Sequence, residues 1–143
     1  MARLGLRPAQ GIDLGGALSS KILIVDDSSL MRRALRRWIE QNPGWSVCGE
    51  AENGAVAIDR VKELNPDLVI LDLSMPVMNG LDAARCIKEI APNTAMLMFT
   101  MYTNDELVKD AHAAGIQSVV SKTDSVMDQL ITSIAALLHQ PAA

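Results

Sequence analysis

Asp26, Asp27 and Asp72 follow two short apolar runs, and Thr100 and Lys122 follow two others. If those runs are parallel strands of one sheet, all five side chains meet at one edge, where open α/β sheets place their sites. Three carboxylates at such close quarters repel one another and raise each other's pKa. A hard divalent cation relieves that cost, and magnesium favours a few carboxylates together with water and phosphate oxygens. One aspartate free to act as nucleophile, with a hydroxyl and an ammonium beside it to bind the oxygens of an arriving group, describes phosphoryl transfer to an aspartate.

The elements that must position these residues are written in the apolar periodicity. Lys21-Ile-Leu-Ile-Val25 reads as a strand buried on both faces. Leu30, Met31, Ala34, Leu35, Trp38 and Ile39 share a helical face that Pro43-Gly44 terminates. Trp45 to Ala51 is a second strand, and Asn53-Gly54 opens a helix through Ala57, Ile58, Val61 and Leu64. Asp67 to Leu71 is a third strand, and Gly80 introduces a helix with Leu81, Ala84, Ile87 and Ile90 inward, stopped by Pro92. Thr94 to Phe99 is a fourth strand. Thr103-Asn-Asp-Glu106 has the spacing of a capping box, and Gly115 ends the helix it starts. Ile116 to Val120 is a fifth strand, followed by a helix from about Asp124 to Leu138.

Five strands alternating with five helices predict an α/β fold: a doubly wound, mostly parallel sheet with helices on both faces. The chain has 143 residues, 49% of them hydrophobic and 3% aromatic, so one core of Val, Ile, Leu, Met and Ala can be built without disulfides. Cys48 and Cys86 have no zinc-site spacing, and a reduced, cytoplasmic setting is expected. The net charge of −4 opposes a surface that grips nucleic acid or anionic lipid, and no apolar run reaches the length of a membrane span. Residues 1–20 carry scattered apolar residues without period and read as a flexible extension; 21–140 form the domain, with no room for a second after Leu138.

Taken together, Lys21-Ile-Leu-Ile-Val-Asp-Asp-Ser, Leu71-Asp-Leu-Ser-Met-Pro-Val-Met-Asn-Gly80, Phe99-Thr100 and Ser121-Lys122 resemble the receiver domain of two-component response regulators, from about Lys21 to Leu138. The resemblance implies a flavodoxin-like sheet of order 2-1-3-4-5. It also implies that Asp72 accepts a phosphoryl group from a histidine kinase or phosphotransfer protein. Asp26 and Asp27 would hold Mg2+ with Asp72 and the backbone carbonyl of Ser74, Thr100 would be the switch hydroxyl, and Lys122 would pair with the phosphoryl oxygens. Such a domain is not an enzyme beyond its own phosphorylation and dephosphorylation. It signals to a downstream protein, to a second phosphorylated copy, or through a phosphorelay, without contacting nucleic acid or membrane.

Each residue alone has a plainer reading: Asp27 or Ser28 as a helix cap, Asp72 as a strand-end residue, Thr100 as a buried hydroxyl, Lys122 as a solvated cation. A cap leaves the second acid of the pair unexplained, and jointly these need five coincidences. A phosphohydrolase of the haloacid dehalogenase type would need Asp-x-Asp after the first strand, which Asp26-Asp27-Ser28-Ser29 lacks. A pseudo-receiver would have lost the acceptor or the acid pair, and a nucleotide-binding domain would carry a glycine fingerprint or P-loop. Arg32, Arg33, Arg36 and Arg37 line the outer side of the first helix, either as a solvated face or as a docking surface for the phosphodonor. Three positions depart from the family's pattern: Val119 stands where many members have Tyr or Phe, Thr123 where many have proline, and Met101 where Ala or Ser is common. The expected readout therefore moves to the Thr100–Asn104 loop and the helix that follows it, with Tyr102 either an exposed reporter or a shield over the mouth of the site.

Overall fold

The computed structural model describes residues 19–123 and 126–138. Its elements alternate throughout: β1 (Ser20–Val25), α1 (Ser29–Glu40), β2 (Trp45–Ala51), α2 (Gly54–Leu64), β3 (Leu68–Leu71), α3 (Gly80–Ile90), β4 (Ala95–Thr100), α4 (Asp105–Ala113), β5 (Ser118–Ser121) and α5 (Val126–Leu138). The five strands form one sheet of order β2-β1-β3-β4-β5, and every neighbouring pair is parallel.

β3 is apolar at every position, β1 from Ile22 onward and β4 up to Phe99, because both faces are covered, and alternate residues go to different cores. Leu23, Val25, Val69, Leu71, Met96 and Met98 face α2, α3 and α4. Ile22, Ile24, Leu68, Ile70, Leu97 and Phe99 face Leu35 and Ile39 of α1 and Leu130 and Ile134 of α5. Met96 and Met98 are core residues, as an adaptable thioether side chain suits. On the β2 edge the register shifts between Ile22, opposite Val47, and Leu23, opposite Gly49, so Cys48 is the extra residue of a bulge.

Several element boundaries differ from the sequence expectation. Leu30 is 72% exposed: it lies five positions before Leu35 and nine before Ile39, which at 3.6 residues per turn turns it away from the buried face. Ile90, at the end of α3, is also exposed. No capping box forms at Thr103. Asn104 caps α4 instead, its side chain accepting from Leu107 N, which leaves Glu106 in the second helical position, too early to reach back. β5 begins at Ser118, not Ile116, because Ile116 serves α4: its N–H donates to Ala111 O (2.9 Å) and that of Gly115 to His112 O (3.0 Å). That pair is a Schellman cap, and Gly115 supplies its positive φ of 97°. The start of the last helix expected at Asp124 lies outside the described residues.

The arginines of α1 do not form one outward row. Arg33 and Arg37 are exposed, whereas Arg32 and Arg36 turn to Glu50 on β2, at 2.9 and 2.8 Å. An acceptor one strand away outcompetes solvent for two of the four.

Candidate functional site

The parallel sheet delivers the sequence-singled residues to one edge. Asp26 directly follows β1, Asp72 directly follows β3, Thr100 ends β4 and Lys122 directly follows β5. Pairing fixes them. Asp26 N–H donates to Ala51 O, Asp72 N–H to Val25 O, and Lys122 N–H to Thr100 O, at 2.8 to 3.0 Å. Thr100 lies opposite Ser121 and is 2% exposed.

One carboxylate oxygen from each of Asp26, Asp27 and Asp72 can be chosen so that all lie within 4.8 Å of one another. Asp26 is 2% exposed, Asp72 is 8% exposed, and Asp27 opens to solvent. The Lys122 ammonium lies between the two buried acids, 2.8 Å from Asp26 Oδ2 and 3.3 Å from Asp72 Oδ2. It also sits 5.6 Å from the centre of the Phe99 ring, within cation–π range. Burial pushes the Asp72 carboxyl above the usual carboxylate range; Lys122 opposes that rise, and Asp26 adds to it. Three acids against one ammonium leave the edge short of positive charge. An all-oxygen donor set, part buried and part solvent-facing, suits magnesium, which binds a few carboxylates and retains water.

The loop between β3 and α3 is shaped around Asp72. Leu73 N–H donates to Asp72 Oδ1 (2.8 Å), and Gly80 N–H donates to Leu73 O (2.8 Å). A Cβ on Gly80 would fall 2.1 Å from the Asp72 carbonyl oxygen, so only glycine lets α3 begin there. Met78 N–H closes a three-residue turn onto Pro76 O (2.7 Å), with exposed Val77 at φ 71°. That is the rarer, strained γ-turn form, and Val is a costly residue for it. Ser74 is exposed in this loop. Of the plainer roles, Ser28 does cap α1, accepting from Met31 N, and no cis peptide bond occurs among the described residues. Tyr102 (76%) and Met101 (51%) are exposed after β4, while Val119 is half-buried opposite Met98.

Sequence reasoning does not single out Glu50. Burial raises its pKa, yet the hydrogen bonds and charges of Arg36 and Arg32 outweigh this and hold it below the usual range. Two arginines one helical turn apart, facing a strand with an acid next to its last residue, are the available signal. The same Arg32 reaches the site, donating from Nη1 to Asp26 O at 2.7 Å.

The family model for the response regulator receiver domain matches residues 22–135. The chemotaxis protein CheY of Thermotoga maritima is 38% identical over 105 residues, covering 73% of this chain and 87% of that protein. The transcriptional regulatory protein YdfI of Bacillus subtilis is 38% identical over 118 residues, 82% of this chain but 55% of YdfI's length. A LuxR-family two-component response regulator from Aurantimonas superposes with a TM-score of 0.81 at 32% identity, over 85% of this chain and 86% of that one. CheY of Borrelia burgdorferi, in a complex with CheX, BeF3 and Mg, gives a TM-score of 0.80 at 26% identity, over 89% and 95%. With this topology and this sheet edge, the chain belongs to the response regulator receiver domain family.

Proposed function

We propose that Asp72 accepts a phosphoryl group from a histidine kinase or histidine phosphotransfer protein, in a reaction that needs Mg2+, within a stand-alone cytoplasmic receiver. The observation that carries this reading is the Lys122 ammonium lying between Asp26 and Asp72 at the strand ends. A carboxylate oxygen of Asp72 forms a bond to phosphorus, the phosphorus–nitrogen bond of the donor phosphohistidine breaks, and the imidazole leaves with its electron pair. Asp26, Asp27, Asp72 and the Ser74 carbonyl would hold the cation, which supplies positive charge to the phosphoryl oxygens. Lys122 adds a second cation to the same oxygens, and the buried Thr100 hydroxyl a hydrogen bond. Likeness to the CheY proteins of Thermotoga maritima and Halobacterium salinarum, of which this chain covers 87% and 100%, supports a receiver that signals by binding a partner. Exposed Leu30, Arg33 and Arg37 on α1 suit docking of the donor, and Met101 and Tyr102 suit output through the loop after β4.

The test is intact-mass analysis after incubation with acetyl phosphate. The wild-type chain should gain the mass of one phosphoryl group with magnesium and none with a chelator, and Asp72→Asn should gain none. A phosphorylated species in Asp72→Asn, or indifference to the chelator, overturns the assignment.

A further inference from the structure

Every hydrogen-bonding group of Asp26 is engaged, and each partner lies elsewhere along the chain. Its N–H donates to Ala51 O of β2 (3.0 Å), Oδ1 accepts from Ser28 N (2.9 Å), and Oδ2 faces Lys122 Nζ (2.8 Å). The fourth contact is the one phosphoryl chemistry does not require: the carbonyl oxygen accepts from Arg32 Nη1 at 2.7 Å. Arg32 is itself held, its Nε donating to Glu50 Oε1 (2.9 Å), while Arg36 Nε takes Glu50 Oε2 (2.8 Å). The guanidinium thus spans from the end of β2 to the peptide joining Asp26 to Asp27.

We infer that Arg32 is a positioning residue for the cation site, holding the Asp26–Asp27 peptide through that carbonyl, with Glu50 as its brace; the inference rests on the receiver reading above. Asp27 lies after the last residue of β1 and before the Ser28 cap of α1, so it belongs to no hydrogen-bonded element. The peptide unit is planar, and fixing its oxygen fixes the direction in which the Asp27 backbone leaves. A rigid fork with a second partner does this at little conformational freedom, which a lysine at the same place does not. Placing a cation beside a cation site has an electrostatic cost, and the Glu50 carboxylate offsets it. Simple charge and positioning therefore have opposite signs. Removing a nearby positive charge strengthens magnesium binding, whereas releasing the peptide weakens it.

The experiment is calorimetric measurement of the magnesium Kd for wild type, Arg32→Gln, Arg32→Lys and Glu50→Gln, with thermal unfolding of each apoprotein alongside. Arg32→Gln should bind about tenfold more weakly, the lower end of the cost of losing a group that orients a metal ligand. Arg32→Lys, which keeps the charge and one donor, should recover part of the loss. It also serves as the second variant should Arg32→Gln unfold. Glu50→Gln should weaken binding severalfold, since it frees Arg32 and leaves its charge uncompensated. A Kd in Arg32→Gln equal to or tighter than wild type, whatever its Tm, overturns the inference: Arg32 then only ties α1 to β2. Wild-type protein that binds no magnesium overturns the receiver reading itself, and the inference with it.

Discussion

Lys122 stands between two buried carboxylates with 8% of its side chain exposed, and it is the only ammonium contacting either acid among the described residues. Truncating it leaves two facing negative charges in a poorly solvated edge, which is where loss of one ion-pair partner is most damaging. In magnesium-free buffer, Lys122→Met should lower the unfolding free energy in urea by about 3–5 kcal/mol, the range for breaking a buried pair. Magnesium should return much of that loss, since a bound cation offsets the same repulsion. In wild type a concentration ten times the Kd adds about 1.4 kcal/mol, and in Lys122→Met the gain should be larger. An equal gain in both proteins would mean that the two cations do not share the acids. Residue chemistry of this kind was legible in the sequence: an acid or hydroxyl at the end of an apolar run has one plausible edge to occupy once the strands are parallel. The brace at Glu50 was not, since nothing in the spacing of an exposed-looking glutamate reveals which helix packs across its strand.

The helix ends are governed by local hydrogen-bond competition, and there the sequence pattern misleads. Thr103-x-x-Glu106 satisfies the spacing of a capping box, but the adjacent Asn104 is at least as good a cap and takes the Leu107 N–H at 2.8 Å. Asn104→Ala should therefore cost about 1 kcal/mol of stability, while Thr103→Ala should change it by a few tenths at most; chemical denaturation of the two variants decides between the caps. β5 begins late for a similar reason, Ile116 being consumed by the end of α4 before the sheet can use it. Strand interiors are different. A run such as Leu68–Leu71 has no polar group to bargain with, and burial on both faces leaves it a single role. Core elements are thus read from apolarity alone, whereas their termini depend on which of two neighbouring polar groups wins a bond. The direction of the α1 arginines belongs to the second kind.

Across the whole molecule, α1 and α5 cover one face of the sheet and α2, α3 and α4 the other, and the β2 edge is tied to the first face by Glu50 with Arg32 and Arg36. That tie makes acid stability partly a property of one carboxylate. Glu50 has a folded pKa below its unfolded value, so its contribution is present at neutral pH, above about 4.3, and is lost as pH falls through the depressed folded value. Glu50→Gln should cost about 1 kcal/mol at pH 7, the upper end for pairs with this much solvent contact. The gap from wild type should narrow as the pH is lowered from about 5 towards 3; a constant gap would assign the loss to packing. The same parallel architecture sets a condition on timing. Lys122 and Asp26 meet across 96 positions of chain, and a ribosome releases Asp26, Asp27 and Asp72 well before it releases Lys122. A nascent or prematurely terminated copy therefore displays bare acids without their balancing ammonium.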